Sequence, residues 1–215
     1  MLEKLNLVIL GATNTSDFEN LPSLQFVSES KTLLDYQLEA FSNYSTCTQY
    51  IGGEEFDKLR ANEHNINYKF NNSHVVSGPI ASLMHADFDE NSDMFIVYGD
   101  VLFTEELVKG MLDMPGDVVV ALEPIQSDVN ENASKHLIIE KNSEVFMPVT
   151  PSLGVGCSKF SGVMMLRNNA IKVFNQDSKI ISEDYGDQKL SVLLPLLFSN
   201  GLTVSYENTL GNAKE

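Results

Sequence analysis

Positive charge is scarce in this chain: 14 lysines and arginines stand against 30 aspartates and glutamates, for a net charge of −16 over 215 residues. Proteins that grip DNA or RNA use lysine and arginine to replace counterions, so the imbalance argues against nucleic acid as a partner. It also means that phosphate charge on a small substrate must be met by backbone N–H groups, helix N-termini or a divalent metal. Cysteine is nearly absent too. Cys47 and Cys157 have no zinc-ligand spacing and read as thiols of a reducing compartment. No apolar run approaches the roughly 18 residues of a membrane span, and the first residues lack the basic, apolar and small-residue order of a signal peptide. The chain is therefore expected in the cytoplasm, away from membranes, where the triplet beginning at Asn43 carries no glycan. His64, His74, His85 and His136 are scattered without ligand spacing, and no Ser/His/Asp order suggests a hydrolase.

What is present is a buried-strand rhythm. With 43% hydrophobic and 20% charged residues, the chain has the composition of a soluble globular protein of one domain. Leu5 to Leu10 is a continuous apolar run, as in a strand covered on both faces, and a polar loop from Thr13 to Asn20 follows Gly11 and Ala12. Further strands are expected over Thr46–Ile51, Ile66–Phe70, Met94–Tyr98, Asp117–Leu122, Phe160–Leu166 and Thr203–Tyr206. Helices are expected over Thr32–Phe41, Gly53–His64, Ile80–Phe88, Thr104–Leu112, Asn169–Phe174 and Gln188–Phe198, the last despite Pro195. Alternation of this kind predicts a three-layer α/β fold, a mainly parallel sheet with helices on both faces. Residues 124–158 break the rhythm and read as a loop and hairpin insert within a single domain spanning 1–215. Met164 and Met165 fall in a strand and read as core.

The strongest local signal is Phe95-Ile-Val-Tyr-Gly-Asp-Val-Leu-Phe103. A buried strand delivers Asp100 at its carboxyl end, where open α/β sheets bind ligands. A carboxylate there suits Mg²⁺ bridging to phosphate oxygens; the alternative is that Asp100 only caps the helix starting near Thr104. Ser182-Glu-Asp-Tyr-Gly-Asp187 reads as a solvated acidic loop, with Asp187 near the cap of the next helix and within possible reach of a metal or an amine-bearing acceptor.

Tyr98-Gly-Asp-Val-Leu-Phe103 resembles the "GD" strand of the sugar-phosphate and phosphonate nucleotidyltransferases. Three other stretches follow in that family's order. Pro22 to Phe41 is similar to its "PK-x-L … Q-L-E-A-L" block, Ser77-Gly-Pro-Ile-Ala-Ser-Leu83 to its "G-T-A-x-S-L" turn and helix, and Lys159-Phe-Ser-Gly-Val-Met164 to its "G-E-F-x-G-L" strand. The resemblance covers nearly the whole chain and implies a nucleotide-diphospho-sugar transferase-like (GT-A-like) fold. It implies Mg²⁺-dependent transfer of a nucleotidyl group, with a lean to CMP, from a nucleoside triphosphate to a sugar-phosphate, phosphocholine or phosphonate acceptor. Asp100 would ligate the metal. Gly11, Ala12, Thr13 and Asn14 would form the phosphate loop, Ser77, Gly78 and Ser82 would contact the base, and Ser161 and Gly162 would face the acceptor.

This chain also departs from the family's pattern. The first loop has one glycine and no arginine where the family has G-x-G-x-R-L, and Ser23 stands where the family carries a catalytic lysine that offsets phosphate charge. Lys31 lies beside the turn. The segment after Val204 enters the family's Trp-x-Asp/Glu region and stops, so Glu215 is expected either as the second metal ligand or as a residue short of it. Two alternatives stay open: a homologue that binds nucleotide with little or no turnover, and a glycosyltransferase using a nucleotide-sugar. The second normally ends its metal strand in Asp-x-Asp, whereas this chain has Gly99-Asp100-Val101.

Overall fold

The computed structural model describes residues 5–12, 21–53, 59, 65–73, 77–124, 137–141, 144–148 and 157–209. Leu5–Gly11 (β1) is buried at every position, as expected for a strand with helices over both faces. Ser45–Gly52 (β2), Asn67–Phe70 (β3) and Asp93–Tyr98 (β4) join it in a parallel half-sheet ordered β3-β2-β1-β4.

Val118–Pro124 (β5), Cys157–Leu166 (β8) and Val204–Asn208 (β9) extend the sheet in the order β4-β8-β5-β9. β8 runs antiparallel to both neighbours, while β9 is parallel to β5. Along this seven-strand path the sheet is thus mainly parallel, with β8 reversed. Leu137–Lys141 (β6) and Glu144–Pro148 (β7) form an antiparallel hairpin whose first strand pairs with β8.

The reversed strand shapes the site. Val97 pairs with Val163 and β4 ends at Tyr98, so the part of β8 before Gly162 runs on past the carboxyl end of β4 and becomes a wall beside it.

Period-two alternation sorts the strand side chains into two cores. Val8, Leu10, Ile51, Ile96 and Met164 face Pro79–Leu83 (α2), Asn168–Gln176 (α4), Ser178–Tyr185 (α5) and Leu193–Ser199 (α6). Leu7, Ile9, Phe95, Val97 and Met165 face Leu33–Phe41 (α1) and Glu105–Asp113 (α3). This is the three-layer arrangement expected of the pattern.

Several elements differ from their sequence expectation. The helix expected over Ile80–Phe88 stops at Leu83, where His85 N–H and Ala86 N–H turn back to Ser82 O and Leu83 O. The acidic stretch at Ser182 is no loop: its first four residues are the last turn of α5. The helix expected over Gln188–Phe198 is a 3₁₀ turn at Leu190–Val192 leading into α6. Pro195 falls in the first turn of α6, where no N–H is needed for the helix ladder. The helix expected over Gly53–His64 lies almost wholly outside the described residues. Among the described residues, no helix is long and apolar enough to cross a membrane.

Candidate functional site at the carboxyl edge of the sheet

Asp100 sits exposed one residue past Gly99, just beyond the end of β4. The helix after it takes Thr104 as its N-cap, which removes the capping alternative for Asp100. The backbone around Asp100 is held from several sides. Gly99 N–H donates to Leu10 O at 2.9 Å. Gln37 Nε2 donates to Tyr98 O at 3.0 Å and to Val101 O at 2.7 Å, and Ser23 Oγ donates to Gly99 O at 2.9 Å. Gln37 and Ser23 are 0% and 1% exposed. A Cβ on Gly99 would lie 2.7 Å from Ser23 Oγ and 3.0 Å from Gly11 Cα, so glycine is what lets the ends of β1 and β4 approach.

Beside this turn opens a cavity of about 470 Å³. Of the residues expected at the site, Ala12, Ser82, Asp100, Ser161 and Gly162 line it. Tyr98, Lys159, Asp187 and Lys189 line it as well. Lys159 opens the stretch that resembles the family's acceptor-side strand, yet nothing in its spacing marks it as a site residue. Asp187 ends the acidic run and Lys189 follows it, and the folding back of α5 brings both to the cavity.

Tyr98 closes the inner end. Its phenol accepts a hydrogen bond from Leu190 N–H at 3.1 Å, and its ring meets Phe160 edge-on at 6.1 Å. Gly162 has φ of +90°, and a Cβ there would lie 2.6 Å from Tyr98 Cδ2. Burial pushes the Tyr98 phenol above its ordinary value; the Leu190 bond opposes that and the charge of Asp100 adds to it.

Gly11 and Ser23 do not line the cavity. A Cβ on Gly11 would lie 1.8 Å from Tyr50 Oη, and that phenol is 2.8 Å from Ser23 Oγ. The hydroxyl hydrogen of Ser23 goes to Gly99 O, so Tyr50 O–H is the donor to Ser23. Burial holds the Tyr50 phenol well above its ordinary value, with the Ser23 bond pulling the other way.

Ser77 and Gly78 do not line the cavity either; behind Ser82, which does, Asn71 Nδ2 donates to Ser77 Oγ at 3.2 Å and Ser82 Oγ at 3.0 Å. The amides of Gly78 and Ala81 donate to Gly186 O, and that of Ile80 to Gln188 O. Those amides are therefore already committed to the 186–188 segment. A Cβ on Gly78 would lie 2.5 Å from the Asp187 carbonyl, which ties Asp187 to the base of α2. Thr13, Asn14 and Glu215 lie outside the described residues.

Cations near the site differ in availability. Lys31 pairs with Glu39 at 2.7 Å along α1, where the hydrogen bond raises its affinity for its proton. Lys159 is half-exposed and lies 3.4 Å from Glu123. Arg167 is bound to the carbonyls of Leu112, Met114 and Gly116, at the end of β8 away from Asp100. Among the described residues no three histidine, cysteine or acidic side chains cluster to hold a metal. Among the described residues, then, no cage is made by protein alone. A single strand-end carboxylate suits a Mg²⁺ that substrate phosphates and water would complete.

No family model and no curated protein matches the sequence. Solved structures do match the fold. An inositol-1-phosphate CTP transferase from T. maritima superposes with a TM-score of 0.69 at 12% identity, over 96% of this chain and 86% of that one. A Bacillus anthracis protein named as a glucose-1-phosphate thymidylyltransferase, in complex with a sucrose, gives 0.68 at 12% identity, over 95% and 86%. The CTP:phosphocholine cytidylyltransferase of Streptococcus pneumoniae gives 0.68 at 16% identity, over 98% and 92%. The chain has the fold of sugar-phosphate nucleotidyltransferases.

Proposed function

We propose that this chain is a nucleotidyltransferase-like protein of one domain, binding a nucleoside triphosphate at the carboxyl edge of its sheet. The observation that carries the reading is the placement of Asp100, exposed at the end of β4 and lining a cavity between α2 and the overhanging half of β8. In the reaction, an oxygen of a phosphate or phosphonate acceptor attacks the α-phosphorus of the triphosphate. A new P–O bond forms, the bond from the α-phosphorus to the α,β-bridging oxygen breaks, and pyrophosphate departs with the electron pair. Mg²⁺ held by Asp100 and the triphosphate would supply charge neutralisation for that departure.

This chain's own residues divide the work. Residues 11–14 would contact the triphosphate, and Ser77, Gly78 and Ser82 the base side. Lys159 and Lys189, on the β8 and Leu190 side of the cavity, would meet the anionic end of the acceptor, with Ser161 and Gly162 beside them. The three structural relatives are named for an inositol phosphate, a hexose phosphate and phosphocholine, all phosphate monoesters, which supports a phosphate monoester here. The expected compartment is the cytoplasm.

A second reading, nucleotide binding with little or no turnover, is favoured by the burial of Ser23 where a lysine would offset phosphate charge. Titration calorimetry with each nucleoside triphosphate, with and without Mg²⁺, followed by a pyrophosphate-release assay with phosphorylated acceptors, separates the two. Binding with release supports transfer, and binding without release supports the second reading. Absence of any Mg²⁺-dependent nucleotide binding would sink both.

A further inference from the structure

The phenol of Tyr50, on β2, reaches beneath the ends of β1 and β4. It donates to Ser23 Oγ at 2.8 Å, and Ser23 Oγ donates in turn to Gly99 O at 2.9 Å. Both side chains are buried, Tyr50 at 0% and Ser23 at 1% exposure. This linear chain of two bonds leaves the serine's single hydrogen spent, and it ends on the peptide carbonyl immediately before Asp100. Buried polar chains of this kind are worth most when every member is satisfied, because an orphaned member carries the whole desolvation cost. Glycine at 11 serves the same arrangement, since a Cβ there would collide with Tyr50 Oη. Gly11, the one glycine of the expected phosphate loop, is thus required by the phenol below it, whatever lies above.

We infer that Tyr50 and Ser23 are positioning residues, whose hydrogen-bonded chain fixes the Gly99–Asp100 peptide and so aims the Asp100 carboxylate into the cavity. The inference rests on the nucleotidyltransferase reading for its catalytic consequence, though not for its structural one. Two other bonds on the same turn, from Gln37 to Tyr98 O and Val101 O, bracket Asp100 from the α1 side. The Tyr50–Ser23 chain supplies the restraint from the β2 side. A hydroxyl at position 23 therefore takes the place of a cation in this chain, and works through the backbone and not on the phosphate.

The test uses Tyr50→Phe, which keeps the ring and removes only the donor, together with Ser23→Ala and the double variant. Amide hydrogen exchange of the ligand-free protein is read at Gly99 and Val101, whose N–H groups bond Leu10 O and Tyr98 O, against Val119 and Val120 of β5 as reference. A local restraint lost speeds exchange at Gly99 and Val101 by roughly tenfold or more with β5 unchanged, whereas a merely structural role lowers protection everywhere alike. The double variant is expected to match Ser23→Ala, because the two residues act as one chain. With CTP and Mg²⁺, kcat is expected to fall more than KM rises, in the order Ser23→Ala beyond Tyr50→Phe. Unchanged local exchange in Tyr50→Phe, or a uniform rise that includes β5, overturns the inference. If the wild-type protein binds no nucleotide while the local exchange result holds, the positioning stands and the proposed activity fails instead.

Discussion

Gln37 Nε2 lies 2.7 Å from the carbonyl oxygen of Val101 and 3.0 Å from that of Tyr98, so one buried amide group spans the turn that carries Asp100. Gln37 Oε1 has no partner among the described residues, which means the side chain is kept for its donors. Replacing it by leucine strands the Val101 carbonyl and leaves that of Tyr98 with only the 3.3 Å bond from Val101 N–H. Gln37→Leu is expected to lose about 2 kcal/mol of stability in urea unfolding, with nucleotide binding weakened beyond what the stability loss alone produces.

Gly162 and Gly201 offer a matched pair. Both have positive φ, +90° and +81°. A Cβ on Gly201 meets nothing within 4 Å, whereas one on Gly162 meets the Tyr98 ring at 2.6 Å. Gly201→Ala is expected to cost roughly 1 kcal/mol from backbone strain alone. Gly162→Ala adds a displaced Tyr98 and is expected to cost about 3 kcal/mol. Thermal unfolding of the two variants checks the order.

These two glycines illustrate what the sequence discloses and what it hides. The apolar runs at Leu5 and Met94 announce strands buried on both faces, and Gly99-Asp100 at the end of one announces where ligand chemistry sits. That logic is local and periodic, so it reads directly from the chain. The cavity's other wall is not local. It depends on β8 running antiparallel past the end of β4, and on α5 folding back so that the segment around Asp187 meets α2. Neither event leaves a period or a spacing. Tyr50 escapes notice for the same reason: in a run of strand residues it reads as core, and only its depth below Gly11 shows that the hydroxyl has a partner.

Ser23→Lys tests whether position 23 has room for the cation the family carries there. The side chain is 1% exposed and bonded to Tyr50 and Gly99. A lysine charge placed there without a carboxylate is expected to cost at least ~3 kcal/mol, seen as a lowered unfolding midpoint, and to give no gain in pyrophosphate release.

Asp117 ties β5 to the start of β9. Its carboxylate accepts from Thr203 N–H at 3.0 Å, Thr203 Oγ1 at 2.7 Å and Asn169 Nδ2 at 3.0 Å. Burial works to raise its pKa, but the Thr203 and Asn169 bonds and the Arg167 charge together carry it below the ordinary carboxylate value. A depressed folded pKa contributes stability that is present above the unfolded value near ~4 and is lost as pH falls below it. Asp117→Asn is expected to flatten the decline of stability between neutral pH and pH 3, measured by urea unfolding at each pH.

Lys159 and Lys189 are expected to act on the acceptor. Lys159→Met and Lys189→Met should each raise the acceptor KM by about tenfold and leave the nucleotide KM nearly unchanged. A rise in the nucleotide KM instead would reverse the assignment of the two walls.

The most direct test of nucleotidyl transfer is phosphorus-31 NMR of wild type and Asp100→Asn incubated with CTP, Mg²⁺ and a phosphate monoester. The expected result is a new phosphoanhydride resonance and free pyrophosphate in equal amounts with the wild type, slowed on the order of 100-fold or more in Asp100→Asn. Intact triphosphate in the wild-type reaction, with every nucleotide and acceptor class tried, would contradict it.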